Sequence, residues 1–282
     1  MTERCLFIVI VLALLALPCA AQDRTTPIPA LPLGDALLNL PTARIPIEGE
    51  WEVRFTHRFI QPVNRGDVHS LWGLDGGADV GIGLSWAARP YLQISLVRSS
   101  LLDDIELAAR YVFVQQAPSL PFSLSLRGGA AVRTDRGASH RSSLFAQAIV
   151  SHQVASRRAE VFFVPTVVTN AGPFRSAVSL PIGAAYALKP TLFVIGEIYP
   201  VNRDLPAGLR SDVGWAVGLK RTIGGHYFDV MLSDTRATLV DQYTPGAFIC
   251  DGRNRCAGIE GGDLHLGFNI VRKFGRRVGS RR

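Results

Sequence analysis

The sequence predicts an all-β protein, an antiparallel up-and-down transmembrane β-barrel of about 12 strands with short periplasmic turns and longer outer loops. Three observations lead there. From Trp51 onward apolar residues recur at every second position. Most of the alternating runs are 9–14 residues long, and the links between them alternate short and long. Soluble strands average about 5–6 residues, whereas a tilted strand needs about 9–11 to cross a bilayer.

Composition narrows the field first. The 282 residues are 48% hydrophobic and only 19% charged, too apolar for a disordered chain. Past residue 17 no apolar run approaches the roughly 20 residues of a spanning helix. The hydrophobicity is therefore dispersed along the chain.

Residues 1–21 read as a secretory signal. Arg4 precedes an unbroken apolar run from Leu6 to Leu17, and Cys19-Ala20-Ala21 offers small residues for cleavage. Export suits the remaining cysteines. Cys250 and Cys256 in C-D-G-R-N-R-C form an even pair that fits a loop disulfide, with a metal pair as the alternative. Residues 22–50, with Pro27, Pro29, Pro32, Pro41 and Pro46, read as an extended periplasmic lead-in without a core of its own.

The barrel is assigned to 51–274. Its first strand sets Trp51, Val53, Phe55, His57 and Phe59 against Glu52, Arg54, Thr56 and Arg58. The second sets Ala78, Val80, Ile82, Leu84 and Trp86 against Asp79, Gly81, Gly83 and Ser85. Further strands are expected at 91–99, 104–115, 121–134, 142–154, 158–170, 177–188, 191–201, 211–223, 226–235 and 262–274. Two of them, 158–170 and 191–201, are apolar on both faces, and Pro165 and Pro181 interrupt strands. Short links fall at 88–90, 116–120, 155–157, 189–190 and 223–225, and longer ones at 60–76, 99–103, 135–141, 171–176, 202–210 and 236–261. That alternation is the outer-membrane pattern, and an even strand count puts both termini on one side.

A soluble sandwich or lipocalin-like barrel would turn the apolar face inward and line the outside with Lys and Glu. Here the second face is mostly Gly, Ala and Ser with interspersed charges, as suits a lumen. The closing strand alternates Leu266, Phe268, Ile270 and Phe274 with His265, Gly267, Asn269 and Lys273. Segment 264–274 is the expected contact with the barrel-insertion machinery. Arg272 falls on the lipid-facing register, which places it at a rim. The tail 275–282 is basic. Residues 272–282 hold six positive and no negative side chains, so the net charge of +7 is largely a property of this end. It fits anionic lipid or cell wall as a partner, and not nucleic acid.

The stretches T-H-R-F (56–59), L-W-G-L-D-G-G-A-D-V-G-I-G-L-S-W (71–86), Y-L-Q-I-S-L-V-R-S-S (91–100) and I-E-L-A-A-R-Y (105–111) resemble an uncharacterised family of bacterial outer-membrane β-barrel proteins with a domain of unknown function. The resemblance is best over 38–116. It implies an outer-membrane barrel and carries over no site residue.

Seven cations, Arg54, Arg58, Arg110, Arg127, Arg133, Lys220 and Lys273, are expected to point inward. So are seven acids: Glu52, Asp79, Glu106, Glu160, Glu197, Asp212 and Asp229. A network of paired charges can fill a narrow barrel, or it can line a conduit for small ions and polar solutes. The expected function is a narrow channel. The alternative is a closed barrel acting through its outer loops, above all 236–261. No cofactor is expected. An enzyme is not expected either. The candidates are His57 and His152, with Ser142, Ser143 and Ser151 near the latter, but Ser151 and His152 are adjacent and so face opposite sides of a strand, and the six scattered His carry no catalytic signature. Two carboxylates in G-L-D-G-G-A-D (73–79) are too few for a cation loop.

Overall fold

The computed structural model describes residues 28–44, 46–134, 142–154, 158–171, 176–202, 210–249 and 263–275. The segment expected to be a signal, the cysteine pair expected to form a disulfide and the basic tail beyond Gly275 lie outside these residues.

Twelve antiparallel staves close into a barrel. The first six are single strands: β1 (Trp51–Phe59), β2 (Ala78–Arg89), β3 (Leu92–Ser99), β4 (Asp104–Val114), β5 (Ser123–Arg133) and β6 (Ser142–Gln153). The next three are broken. They are β7 (Ala159–Phe163) with β8 (Thr166–Thr169), β9 (Ser176–Ser179) with β10 (Ile182–Lys189), and β11 (Leu192–Tyr199) with β12 (Val201–Asn202). After β13 (Arg210–Asp212) come the last three, β14 (Gly214–Ile223), β15 (His226–Ser233) and, following β16 (Ala247–Ile249), β17 (His265–Phe274). First and last staves meet, with Trp51 opposite Phe274 and Arg58 opposite Gly267. Each stave is thereby paired on both sides, as a wall inside a bilayer requires.

The breaks form a seam. Pro165, Pro181 and Pro200 interrupt three neighbouring staves, and each lacks the N–H a ladder would use. Their carbonyls still accept: Ala148 donates to Pro165 (3.0 Å), Val164 to Pro181 (2.8 Å) and Leu180 to Pro200 (3.0 Å). The staves thus stay joined while each bends. The runs expected as single strands at 158–170, 177–188 and 191–201 are therefore pairs of shorter strands in one continuous wall.

Period two does what the sequence predicted of it. Ile82 is 60% and Val230 57% exposed on the outside, while Arg58 and Asp229 are buried inside. A soluble barrel would show the reverse. Trp51 stacks on Trp86 at 5.6 Å at the rim that carries the short turns, beside Phe274. Towards the opposite rim His57 stacks on Phe268 at 4.7 Å and meets Phe59 edge-on. Aromatic residues thus flank the apolar band at both ends. Arg272 is exterior and lies by the turn rim, paired with His226.

Tight turns connect staves at that rim. Gly224 and Gly225, at φ 53° and 86°, make the two-residue turn between β14 and β15, a conformation that suits glycine.

Two segments fill the lumen, and both correct the sequence reading. The first is the described part of the lead-in, 28–44. It is not an extended approach lying before the barrel. Leu33, Leu37, Leu38, Leu40 and Ala43 are all buried, and Ala36 bridges Pro41 in a tight turn. Inward residues of β6 to β11 supply its apolar seat, among them Ile149, Phe162, Val164, Phe193 and Ile195. This accounts for the strands that are apolar on both faces: one face meets lipid and the other meets the insert. Each buried leucine contributes about 1.5–3 kcal/mol.

The second is 236–246, read from sequence as the start of the longest outer loop. It folds inward instead. Helix α1 (Val240–Tyr243) is buried throughout, and Ala237, Val240 and Tyr243 join the same apolar cluster as the first insert. β13 and β16 pair with each other as a separate two-stranded ladder. Asp212 therefore belongs to that ladder and not to the barrel sheet that carries the other expected lumen charges.

Candidate functional site

The lumen is the candidate site, and its residues arrive there by alternation. Of the fourteen charges expected inside, Glu52, Arg58, Asp79, Glu106, Arg110, Arg133, Glu160, Glu197, Lys220, Asp229 and Lys273 are buried; Arg54 and Arg127 are partly so and line the same interior. A buried charge needs a partner or many hydrogen bonds, and the two inserts supply much of both.

The first insert is held through its backbone. Lys220 Nζ donates to the carbonyls of Leu33 (3.0 Å), Ala36 (2.8 Å) and Leu37 (2.8 Å), and it lies 3.4 Å from Asp229. Glu197 accepts from the N–H groups of Leu38 (2.7 Å), Asn39 (3.1 Å) and Leu40 (3.1 Å), and from the Tyr199 hydroxyl. Asn269 Nδ2 donates to Leu38 O at 3.0 Å, and Arg58 to Asn39 Oδ1 at 2.9 Å. Arg110 donates to Thr42 O, and Gln115 to Ala43 O.

Asp35 is the insert's own charge. Lys273 lies 2.8 Å from its carboxylate, Arg44 3.4 Å and Arg110 3.5 Å, and Gln93 Nε2 donates to it at 2.6 Å. Burial opposes ionisation, yet Lys273, Arg44 and Arg110 hold the Asp35 carboxyl well below the usual carboxylate range. Lys273 also pairs with Glu50 (2.9 Å) and Glu52 (3.3 Å), so the turn rim carries a network and not a set of isolated pairs.

The second insert docks on β4 to β6. Arg133 Nη2 lies 2.5 Å from Asp241, Ser143 Oγ donates to the same carboxylate at 3.2 Å, and Val240 N–H donates to Glu106 at 3.1 Å. Gln147 Nε2 donates to the Tyr243 hydroxyl at 3.0 Å, and Tyr243 stacks on Tyr199 at 5.2 Å. Arg236 pairs with Asp79 at 3.0 Å. Burial raises the Tyr243 hydroxyl, so the ring stays neutral.

Between the inserts lies a cavity of about 90 Å³. Asp35, Asn39 and Pro41 bound it on one side, and Leu239, Val240 and Tyr243 on the other. Its wall carries Glu52, Arg54, Glu106, Arg110 and Arg127. Arg127 is spoken for by Glu106 (2.5 Å) and Gln147 (2.8 Å), and its guanidinium sits 4.9 Å from the Phe145 ring centre.

Sequence reasoning found the wall charges and missed both inserts, with Asp35, Asp241 and Tyr243; Asn269 it set on the inward face without a role. A signal was available: five leucines in a segment otherwise assigned no core. The serines and histidines weighed for catalysis are dispersed. Ser151 is interior and His152 exterior, with Nδ1 2.5 Å from Pro121 O; His57 packs outside; Ser143 serves Asp241. Among the described residues no group of three or more His, Cys, Asp or Glu is arranged to hold a metal ion.

The family that the sequence matches agrees with this architecture. The family profile described as "Membrane bound beta barrel domain (DUF5777)" matches residues 34–274, which takes in much of the first insert as well as the barrel. No curated protein matches. Among solved structures, an outer membrane channel from Pseudomonas putida F1 is similar over 82% of this chain and 97% of its own, at 11% identity and a TM-score of 0.49. The outer membrane protein Omp33 of Acinetobacter baumannii is similar over 80% of this chain and 99% of its own, at 10% identity and a TM-score of 0.42.

Proposed function

From the premise that this chain belongs to the DUF5777 family of membrane-bound β-barrel domains, we propose that it is a narrow outer-membrane channel for small polar solutes or ions, and not a catalyst. One observation carries the reading. The charge-lined cavity sits on the barrel interior where the two inserts meet, so a solute crossing the membrane through the lumen would pass Arg54, Arg110, Arg127, Glu52 and Glu106. Charged rings at a constriction select by sign and size. A 12-stave barrel is wider than side chains alone fill and narrower than an open porin, and inserts reduce its bore further.

A second reading, a closed barrel, is favoured by how firmly the inserts are held: the Arg133–Asp241 and Lys273–Asp35 pairs are buried, and breaking such pairs is costly. Planar-bilayer recording of the purified full chain separates the two. Discrete, small, salt-dependent conductance steps are expected of the channel. Electrical silence across salts and voltages would overturn it in favour of the closed barrel.

A further inference from the structure

Arg54 stands apart from the other charges around the cavity. Arg110 donates to Thr42 O and to Asp35, and Arg127 donates to Glu106 and Gln147. Among the described residues Arg54 has no hydrogen-bonded acceptor. Its nearest carboxylate oxygen, on Glu52, is 3.8 Å from Nε, and the other oxygen of that carboxylate faces Lys273 at 3.3 Å. A guanidinium presents five donors in a planar fork suited to a carboxylate or phosphate.

Its surroundings are built to receive such a group. Thr56, two residues on along the same face, is 5% exposed, and its Oγ1 has no hydrogen-bond partner. Ser85 on β2 lies opposite Glu52 of β1 and opposite Ser95 of β3, and both hydroxyls line the same cavity. Directly opposite Arg54 is Gly83. A Cβ there would stand 3.6 Å from the Arg54 Cβ and 3.3 Å from Val97, and Gly83 itself lines the cavity. A cation with open donors, three hydroxyls and a missing side chain thus converge on one wall of the cavity.

We propose that Arg54, with Thr56, Ser85 and Ser95, forms a binding site for a small oxyanion of the carboxylate or phosphate type, which makes the pathway anion-selective. The site deepens the channel reading and, as a statement about passage, rests on it. An anion entering the cavity meets donors that the protein itself leaves unused, whereas a cation finds the facing carboxylates Asp35 and Glu106 already engaged by arginines.

The test uses the folded full chain in detergent and in planar bilayers, with acetate and inorganic phosphate as probes. Calorimetric titration should show saturable binding of at least one probe. Arg54→Gln should weaken it by about tenfold or more, the scale of losing a charge-assisted pair, and Arg54→Lys should restore part of it. Heat-dependent gel mobility reports that each variant is folded. If a variant fails to fold, Ser85→Ala with Ser95→Ala replaces it, with weaker binding again expected. Bilayer recording in a salt gradient should give an anion-selective reversal potential that shifts towards zero in Arg54→Gln. Absence of titratable binding to the native chain, or binding unchanged in Arg54→Gln, overturns the site. Binding that depends on Arg54 in a protein that does not conduct upholds the site and overturns only the channel.

Discussion

Glu197 and Lys220 sit on the neighbouring strands β11 and β14 and grip one luminal turn by opposite ends of its peptide groups. The carboxylate takes the N–H groups of Leu38, Asn39 and Leu40, and the ammonium takes the carbonyls of Leu33, Ala36 and Leu37. Each charge is buried, and each is satisfied chiefly by backbone of the insert and not by a partner ion alone. Wall and insert therefore stabilise one another. Glu197→Ala should leave three N–H groups without an acceptor, at about 1–3 kcal/mol for each group that stays buried. Undocking of the turn caps the loss. Hydrogen exchange at residues 38–40 should accelerate markedly, with Glu197→Gln intermediate. Lys220→Met should have a similar effect, and the double variant should fall short of the sum because both residues hold the same turn. Unchanged protection at 38–40 in Glu197→Ala would contradict this account.

The wall was legible because lipid and lumen demand opposite surfaces at period two. Glu52, Arg54 and Arg58 could be placed from three alternating positions alone, and Arg272 at a rim from its register. The inserts follow no period. Residues 33–44 reach their seat through partners far along the chain, such as Glu197 and Lys220, and nothing local announces that pairing. What the sequence did hold was half of the evidence for a seat: Phe162, Val164, Phe193 and Ile195 make their strands apolar on the lumen side, where a water-filled pore would want polar groups. For 236–246 the cue was weaker still, since Asp241 inside a loop reads as solvated until Arg133 is seen beside it.

Gly129 illustrates how the lumen accommodates aromatic groups. It lies directly opposite Phe145 in the β5–β6 ladder, and a Cβ there would stand 2.6 Å from the ring and closer still to the Leu107 carbonyl. The ring in turn carries Arg127, which pairs with Glu106. Gly129→Ala should force the ring aside and cost about 1–3 kcal/mol, the usual scale of overpacking. The folded band on an unheated gel should then convert at a lower temperature than that of the native chain. An unshifted conversion would mean that Phe145 relaxes without cost.

Asp35 sets the acid limit of the first insert. Its carboxyl titrates well below the usual range in the folded protein, held there by Lys273, Arg44 and Arg110 against the cost of burial, with Gln93 as a further donor and Glu52 and Glu50 sharing the same cations. A depressed folded value means that the contribution is complete above the unfolded value of about 3.9 and is lost only as pH falls through the lower folded one. Docking of 28–44 should therefore be indifferent to Asp35 between about pH 5 and 8 and should weaken in stronger acid. Asp35→Asn should weaken docking already at neutral pH and remove this acid component. Limited proteolysis within 28–44 across pH reads both effects, and a neutral-pH digestion pattern identical to the native one would count against them.

The Arg133–Asp241 pair decides whether the second insert can move. Both side chains are almost wholly inaccessible, with Asp104 Oδ2 3.9 Å from the same guanidinium and Ser143 on the Asp241 carboxylate. Removing one member leaves the other charged and buried, which typically costs about 3–5 kcal/mol. The strain is relieved most simply if 236–246 leaves the lumen, because that lets water reach the charge left behind. Asp241→Ala should accordingly free Tyr243 from Tyr199 and Gln147, widen the cavity and raise single-channel conductance at unchanged selectivity, since the wall residues stay in place. Arg133→Ala leaves Asp241 orphaned and should act in the same direction, whereas Arg133→Met with Asp241→Leu, which removes both charges and refills the space, should keep the insert seated. Loss of the folded gel band in Asp241→Ala would show that the pair supports the barrel itself. A folded Asp241→Ala barrel with native conductance would show that the insert is held by the apolar cluster around Val240 and Tyr243 and not by the ion pair.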